Sequence, residues 1–132
     1  MKITRFEELE CWQQARELVK MVYKATRGSE FKRDYRLAGQ IQAAASSSMA
    51  NIAEGFVRRS SKEFIQFLFI AMSSTAEVQS HLYIALDQEY IGQELFDLIY
   101  GQADRTGKII SGLITYLRTK PTKLTRSTRS TK

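Results

Sequence analysis

Along four stretches of the chain apolar residues recur at steps of three and four, the spacing of helices that bury one face. In the first, from about Glu7 to Ala25, Leu9, Trp12, Ala15, Val19 and Val22 form one stripe. Thr4 and Glu7 have capping-box spacing. Thr26-Arg27-Gly28-Ser29 ends the segment, since Thr is a poor helix former and Gly is common just beyond a helix. The second stretch runs from about Asp34, an N-cap residue, to Glu54, with Leu37, Ile41, Ala44, Ala45, Ser48, Met49 and Ile52 inward and Gly55 as its stop. Its middle, Ala43-Ala44-Ala45-Ser46-Ser47-Ser48, is all small side chains, which either admit a close helix neighbour or make a loosely packed turn.

The third stretch has the clearest start. Ser60-Ser61-Lys62-Glu63 sets a serine three residues before a glutamate, directly ahead of an apolar run. Phe64, Leu68, Ala71, Thr75, Val78, Leu82 and Ala85 then follow in helical register. Phe67, Ile70, Ala76, Tyr83, Ile84 and Leu86 widen this helix beyond one narrow stripe, so its apolar surface exceeds what bundle neighbours cover. The fourth stretch, about Gln93 to Leu117, directs Leu95, Leu98 or Ile99, Gln102, Thr106, Ile109, Leu113 and Tyr116 or Leu117 inward. Gly101, Gly107 and Gly112 cost up to about 1 kcal/mol each relative to Ala, so packing must hold this helix. Gly107 and Gly112 either mark close helix contacts or are simply tolerated. Four helices with short connections predict an all-α fold, an antiparallel up-down-up-down four-helix bundle over residues 1–118. Residues 119–132, TKPTKLTRSTRSTK, read as a basic, Ser/Thr-rich disordered tail.

Charge divides the chain sharply. Residues 1–117 hold 14 Lys and Arg against 14 Asp and Glu, while the whole net charge of +6 lies in Arg118, Lys120, Lys123, Arg126, Arg129 and Lys132. A high isoelectric point here describes a tail rather than a basic body. At 132 residues and 43% hydrophobic content the chain makes one domain, which gains by covering more surface through association. The single cysteine, Cys11, excludes an internal disulfide and Cys-based zinc or iron–sulfur sites. No apolar run reaches the length of a membrane span and the acidic N-terminus is unlike a signal peptide, so a soluble, cytoplasmic protein is expected.

The inventory for chemistry is thin. His81 is the only histidine, with Glu77 four residues before it, whereas a di-metal bundle needs Glu-x-x-His on two helices. No nucleophile elbow and no Gly-rich phosphate loop is present. The expectation is a non-enzymatic protein with no catalytic residue, metal or cofactor. Glu54 sits at the second helix's C-terminus, where it opposes the helix dipole and calls for a donor such as Arg58 or Arg59. Arg58, Arg59 and Lys62 cluster at the start of the third helix. They suit a phosphate, or alternatively acids of a neighbouring helix or subunit.

The element Asn51-Ile-Ala-Glu54-Gly55 followed by Arg58-Arg59-Ser60-x-x-Glu63-Phe64, with the opening FEELECWQQARELV and the later FLFIAMSSTAEVQSHL, resembles the four-helix-bundle proteins encoded by intervening sequences in bacterial 23S ribosomal RNA genes. The resemblance covers residues 6 to about 117, with Phe6, Leu9, Trp12 and Ala15 matching the opening pattern. It implies a homopentamer. A related group serves diversity-generating retroelements as a pentamer that partners a reverse transcriptase and binds nucleic acid, so RNA, DNA and a reverse transcriptase are the partners it suggests. The nucleic-acid contacts expected are Arg58, Arg59, Lys62 and the six tail cations; Trp12, Asn51, Glu54, Gly55, Ser60, Glu63 and Phe64 form a structural signature. The pattern departs upstream, where Gln42 and Ala43 replace two arginines and Met49-Ala50 a site that usually holds proline. A basic groove on the second helix is thereby put in doubt, and that helix is expected to run straighter.

Overall fold

The computed structural model describes residues 2–119 and, by backbone alone for the last pair, 125–126. Four helices make the body: α1 (Glu10–Ala25), α2 (Tyr35–Phe56), α3 (Ser61–Asp87) and α4 (Gln93–Thr119). Each packs on its sequence neighbour and α4 closes the ring against α1, giving the all-α antiparallel bundle. Short 3-10 turns at Phe6–Glu8 and Phe31–Arg33 lead into α1 and α2. Lys2–Ile3 (β1) lies parallel to Thr125–Arg126 (β2), the only strand pairing among the described residues. Of the proposed tail, the remaining residues lie outside the described ones.

Helix starts follow local chemistry. Asp34 accepts from the Leu37 amide at 3.0 Å and Ser60 from the Glu63 amide at 3.1 Å, each satisfying a donor the helix leaves unpaired. At the N-terminus the pairing differs from expectation. Glu8, not Glu7, accepts from the Thr4 amide at 3.0 Å, because residues 6–8 form a separate 3-10 turn and α1 starts only at Glu10. Glu7 instead pairs with Arg5 at 3.0 Å.

Of the two glycines read as stops, one follows its helix as expected and the other does something else. No glycine has positive φ among the described residues. Gly28 lies in the turn after α1, and Gly55 is inside α2, which continues through Phe56. A Cβ at Gly55 would stand 2.7 Å from Phe67 Cβ and 2.9 Å from the Phe64 ring, so its bare backbone is what lets α3 close on α2. Gly107 is similarly tight, 3.1 Å from Thr75 Oγ1, whereas Gly101 and Gly112 face open space. Left-handed backbone occurs at Glu89 (φ 64°), where α3 turns into α4.

The core divides in two. One cluster gathers Leu18, Val22, Phe31, Leu37, Ile41, Val78, Leu82, Phe96 and Ile99. The other gathers Leu9, Ala15, Ile52, Phe56, Phe64, Leu68, Ile110, Ile114 and Leu117. Buried Ser48, Ser74, Thr75, Gln102 and Thr106 belong to neither, and each is hydrogen-bonded. The small-residue run of α2 meets α3 here, with Ser74 Oγ 3.0 Å from Ser47 Oγ. Gln102 reaches across to α1, donating to the carbonyl and side-chain oxygens of Gln14 at 2.9 Å.

The inward seam of α3 is buried as its spacing predicts. That of α4 agrees with the expected one at Ile99, Gln102, Thr106 and Leu117 and departs from it elsewhere: Phe96, Ala103, Ile110 and Ile114 are also buried, while Leu95 and Leu98 are exposed and Ile109 and Leu113 half-buried. Apolar residues occupy two adjoining stripes of this helix, and the core takes the one that runs through Phe96, Ile110 and Ile114.

Candidate nucleic-acid interface and the junction behind it

The turn 57–60 between α2 and α3 carries the basic cluster, and the structure splits it. Arg58 is committed to the body. One guanidinium nitrogen meets Glu54 Oε2 at 2.6 Å, and its planar head lies 4.7 Å from the centre of the Phe67 ring. Glu54 therefore has the donor its position demands, in an i,i+4 pair with both side chains about half exposed. Arg59 and Lys62 are exposed, with no ion pair among the described residues. They are the part of the cluster free to meet a phosphate.

Behind them the signature residues build the junction. Asn51 Nδ2 donates to the Ser47 carbonyl at 2.9 Å, and Ser47 Oγ accepts from the Ser74 hydroxyl, so α2 is tied to α3 about two turns before Gly55. Phe64 is fully buried and meets Phe56 edge-on at 6.1 Å. Glu63 is exposed, its amide held by Ser60. Trp12 stands apart on α1, half-buried against Phe6 at 5.2 Å with Arg16 over its ring. Periodicity does not reveal the steric demand at Gly55; the signal was a glycine followed at nine and twelve residues by phenylalanines.

Of the tail cations only Arg118 has a described side chain, and it lies over the Phe69 ring at 5.3 Å. Arg126 is placed by backbone alone, and Lys120, Lys123, Arg129 and Lys132 lie outside the described residues. The cluster of α3 and the tail are thus not shown as one site. His81 Nε2 lies 3.4 Å from Glu77, and no group of three or more metal-ligating side chains assembles among the described residues. Cys11 is buried, which pushes its thiol up to about 12 and removes its reactivity near neutral pH. No helix among the described residues is long and apolar enough to cross a membrane.

A surface that charge does not advertise lies on the outer side of α3. Phe69, Ile70, Tyr83 and Ile84 are exposed there, with the small exposed Ser73, Ala76 and Ser80 and one charged residue, Glu77, between the two pairs. Tyr83 packs on Phe96 of α4 at 4.9 Å, and exposed Leu95 and Leu98 extend the apolar surface. Phe69 and the two leucines were not legible as outward residues.

The chain matches the model of the 23S rRNA-intervening sequence protein family over residues 7–112. It belongs to that family. The matched span contains every signature residue and ends before Arg118, leaving the net positive charge outside it. A crystal structure of a protein of unknown function from the S23 ribosomal protein family of Bacteroides thetaiotaomicron VPI-5482 shares the fold, with a TM-score of 0.72 and 24% identity. The match covers 79% of this chain and 97% of that one. No curated protein matches. Among the residues of this 23S rRNA-intervening sequence protein, Gln42 donates to Thr26 Oγ1 at 2.9 Å, Ala43 is exposed, and α2 runs unbroken through Met49 and Ala50.

Proposed function

We propose that this protein works without catalysis, as a self-associating helical bundle that binds nucleic acid, RNA or DNA, in the setting of a 23S rRNA intervening sequence or a diversity-generating retroelement. The observation that carries self-association is the outer face of α3, which leaves Ile70, Tyr83 and Ile84 between 44% and 52% exposed. Large apolar patches on a soluble surface are interaction sites more often than accidents. A ring of identical subunits, five by family resemblance, covers such a face without any other partner. A cytoplasmic location follows from this reading.

Nucleic-acid binding is supported by the placement of charge. Six tail cations with no acid among them supply a phosphate-seeking segment, and assembly multiplies it into avidity. Arg59 and Lys62 add free cations on the body. Flexible Lys and Arg side chains contact phosphates rather than base edges, so sequence specificity does not arise from the tail. The test is binding to duplex and single-stranded probes at several salt concentrations. The six tail cations are expected to contribute at most about −5 per subunit to the log–log slope on duplex DNA. Replacing Lys120, Lys123, Arg126, Arg129 and Lys132 by Gln should flatten the slope by about 4 and weaken binding sharply. Equal affinity and slope would move the site to Arg59 and Lys62. No binding by either protein at moderate salt would favour the second reading that the α3 face supports, a protein-interaction module, for example for a reverse transcriptase.

A further inference from the structure

At the end of the bundle where α1 begins and α4 finishes, a groove of about 360 Å³ is walled by Ile3, Leu9, Cys11, Ile109, Leu113 and Tyr116. Its lining is chiefly apolar, with Glu8 and Glu10 beside it. The expected inward stripe of α4 included Ile109 and Leu113. They are left half-buried because the helix turns its other stripe into the core, so the groove is what remains of that displaced stripe.

We infer that this groove is the docking site of the chain's own C-terminal segment, with Leu124 as the apolar anchor. Three observations converge on that occupant. The backbone of Thr125–Arg126 pairs in parallel with Lys2–Ile3, and Ile3 is itself a wall of the groove. Leu124 is the one residue of 119–132 with a large aliphatic side chain, amid Thr, Ser, Lys, Arg and a single Pro. The groove carries two carboxylates, and residues 118–132 hold six Lys and Arg and no acid. Geometry permits the return: α4 ends at Thr119 beside Tyr116, and six residues from 119 to 125 span up to about 20 Å. Pro121, which has no amide proton to extend the helix, allows the chain to leave the α4 axis. The tail is then held at one point in its middle, with Arg129 and Lys132 beyond the anchor and Lys120 and Lys123 before it.

The test is methyl NMR on the full-length protein, with Leu124→Asp and Leu124→Ala as variants. Leu124 lies beyond the bundle helices in sequence, so neither variant changes any of the described core side chains. The inference expects cross-peaks between the Leu124 methyls and those of Ile3, Ile109 or Leu113. It expects those three residues to shift in both variants, more in Leu124→Asp, while Leu37 and Ile41 in the other core cluster stay in place. Leu124 methyls at unstructured positions without cross-peaks, together with variant spectra that superimpose on the parent at Ile3, Ile109 and Leu113, would overturn it. A mixture of differently labelled chains decides the remaining arrangement: cross-peaks arising only between chains would overturn docking within the chain in favour of exchange between copies.

Discussion

The inner and outer faces of α3 are built from similar residues and meet opposite fates. Inside, Phe64, Leu68, Ala71, Val78, Leu82 and Ala85 are fully buried. Outside, Phe69, Ile70, Tyr83 and Ile84 remain 40% or more exposed. Residue type alone does not separate the two, since each contains phenylalanine or long aliphatic side chains. What separates them is how much a neighbour covers: α2 and α4 bury one face, while among the described residues the other meets only Arg118 over Phe69 and the Phe96 and Tyr100 rings beside Tyr83. An apolar face that helps neither solubility nor the fold of the single chain is the physical basis for assembly in this account.

The sharpest way to separate the faces is to truncate one residue from each. Leu68→Ala should cost about 2–5 kcal/mol in urea unfolding, by lost burial and a residual cavity. Ile70→Ala, measured on dilute protein where subunits are apart, should stay within about 0.5 kcal/mol of the parent. Equal costs would mean that the outer face is already covered within one chain. Next in size is Gly55→Ala, expected to lose about 1–3 kcal/mol because the added methyl meets the Phe67 and Phe64 side chains on the covered face. A midpoint matching the parent would show that α3 shifts outward without penalty.

Smaller effects test the junction that sets the phase of α3. Ser60→Ala should cost about 1 kcal/mol by removing the acceptor for the Glu63 amide. An unchanged denaturant midpoint would mean that Ser61 takes over and the helix starts one residue later. Glu54→Gln should change stability least, by about 0–1 kcal/mol, since its pair with Arg58 is solvent-accessible. A loss well above that range, read by thermal melts, would show that assembly buries the pair.

Much of this arrangement was legible before any coordinates. The seam of α3 and the caps at Asp34 and Ser60 follow from spacing and from hydroxyl and carboxylate side chains placed where helices lack partners. The phase of α4 was legible only in part: Ile99, Gln102, Thr106 and Leu117 were placed inward, but Leu95, Ile109 and Leu113 fit the helical spacing as well as Phe96, Ile110 and Ile114 one position on, which are the ones buried. Gly55 looked like a helix stop because sequence displays its conformational freedom and hides its missing volume. The basic cluster was visible, but its division into a committed Arg58 and free Arg59 and Lys62 depends on Phe67 and Glu54 closing around the first. Composition located the tail charge fully.

The central claim is that the outer face of α3 joins one subunit to the next. Sedimentation velocity of the full chain at micromolar concentration, beside an Ile70→Asp/Ile84→Asp double variant, tests it most directly. Both residues are exposed in the single chain, so the variant should retain its helical circular dichroism. The account predicts a parent species several times the 15.2 kDa of one chain and a folded monomeric variant. A monomeric parent, or a variant that sediments with the parent, would contradict it.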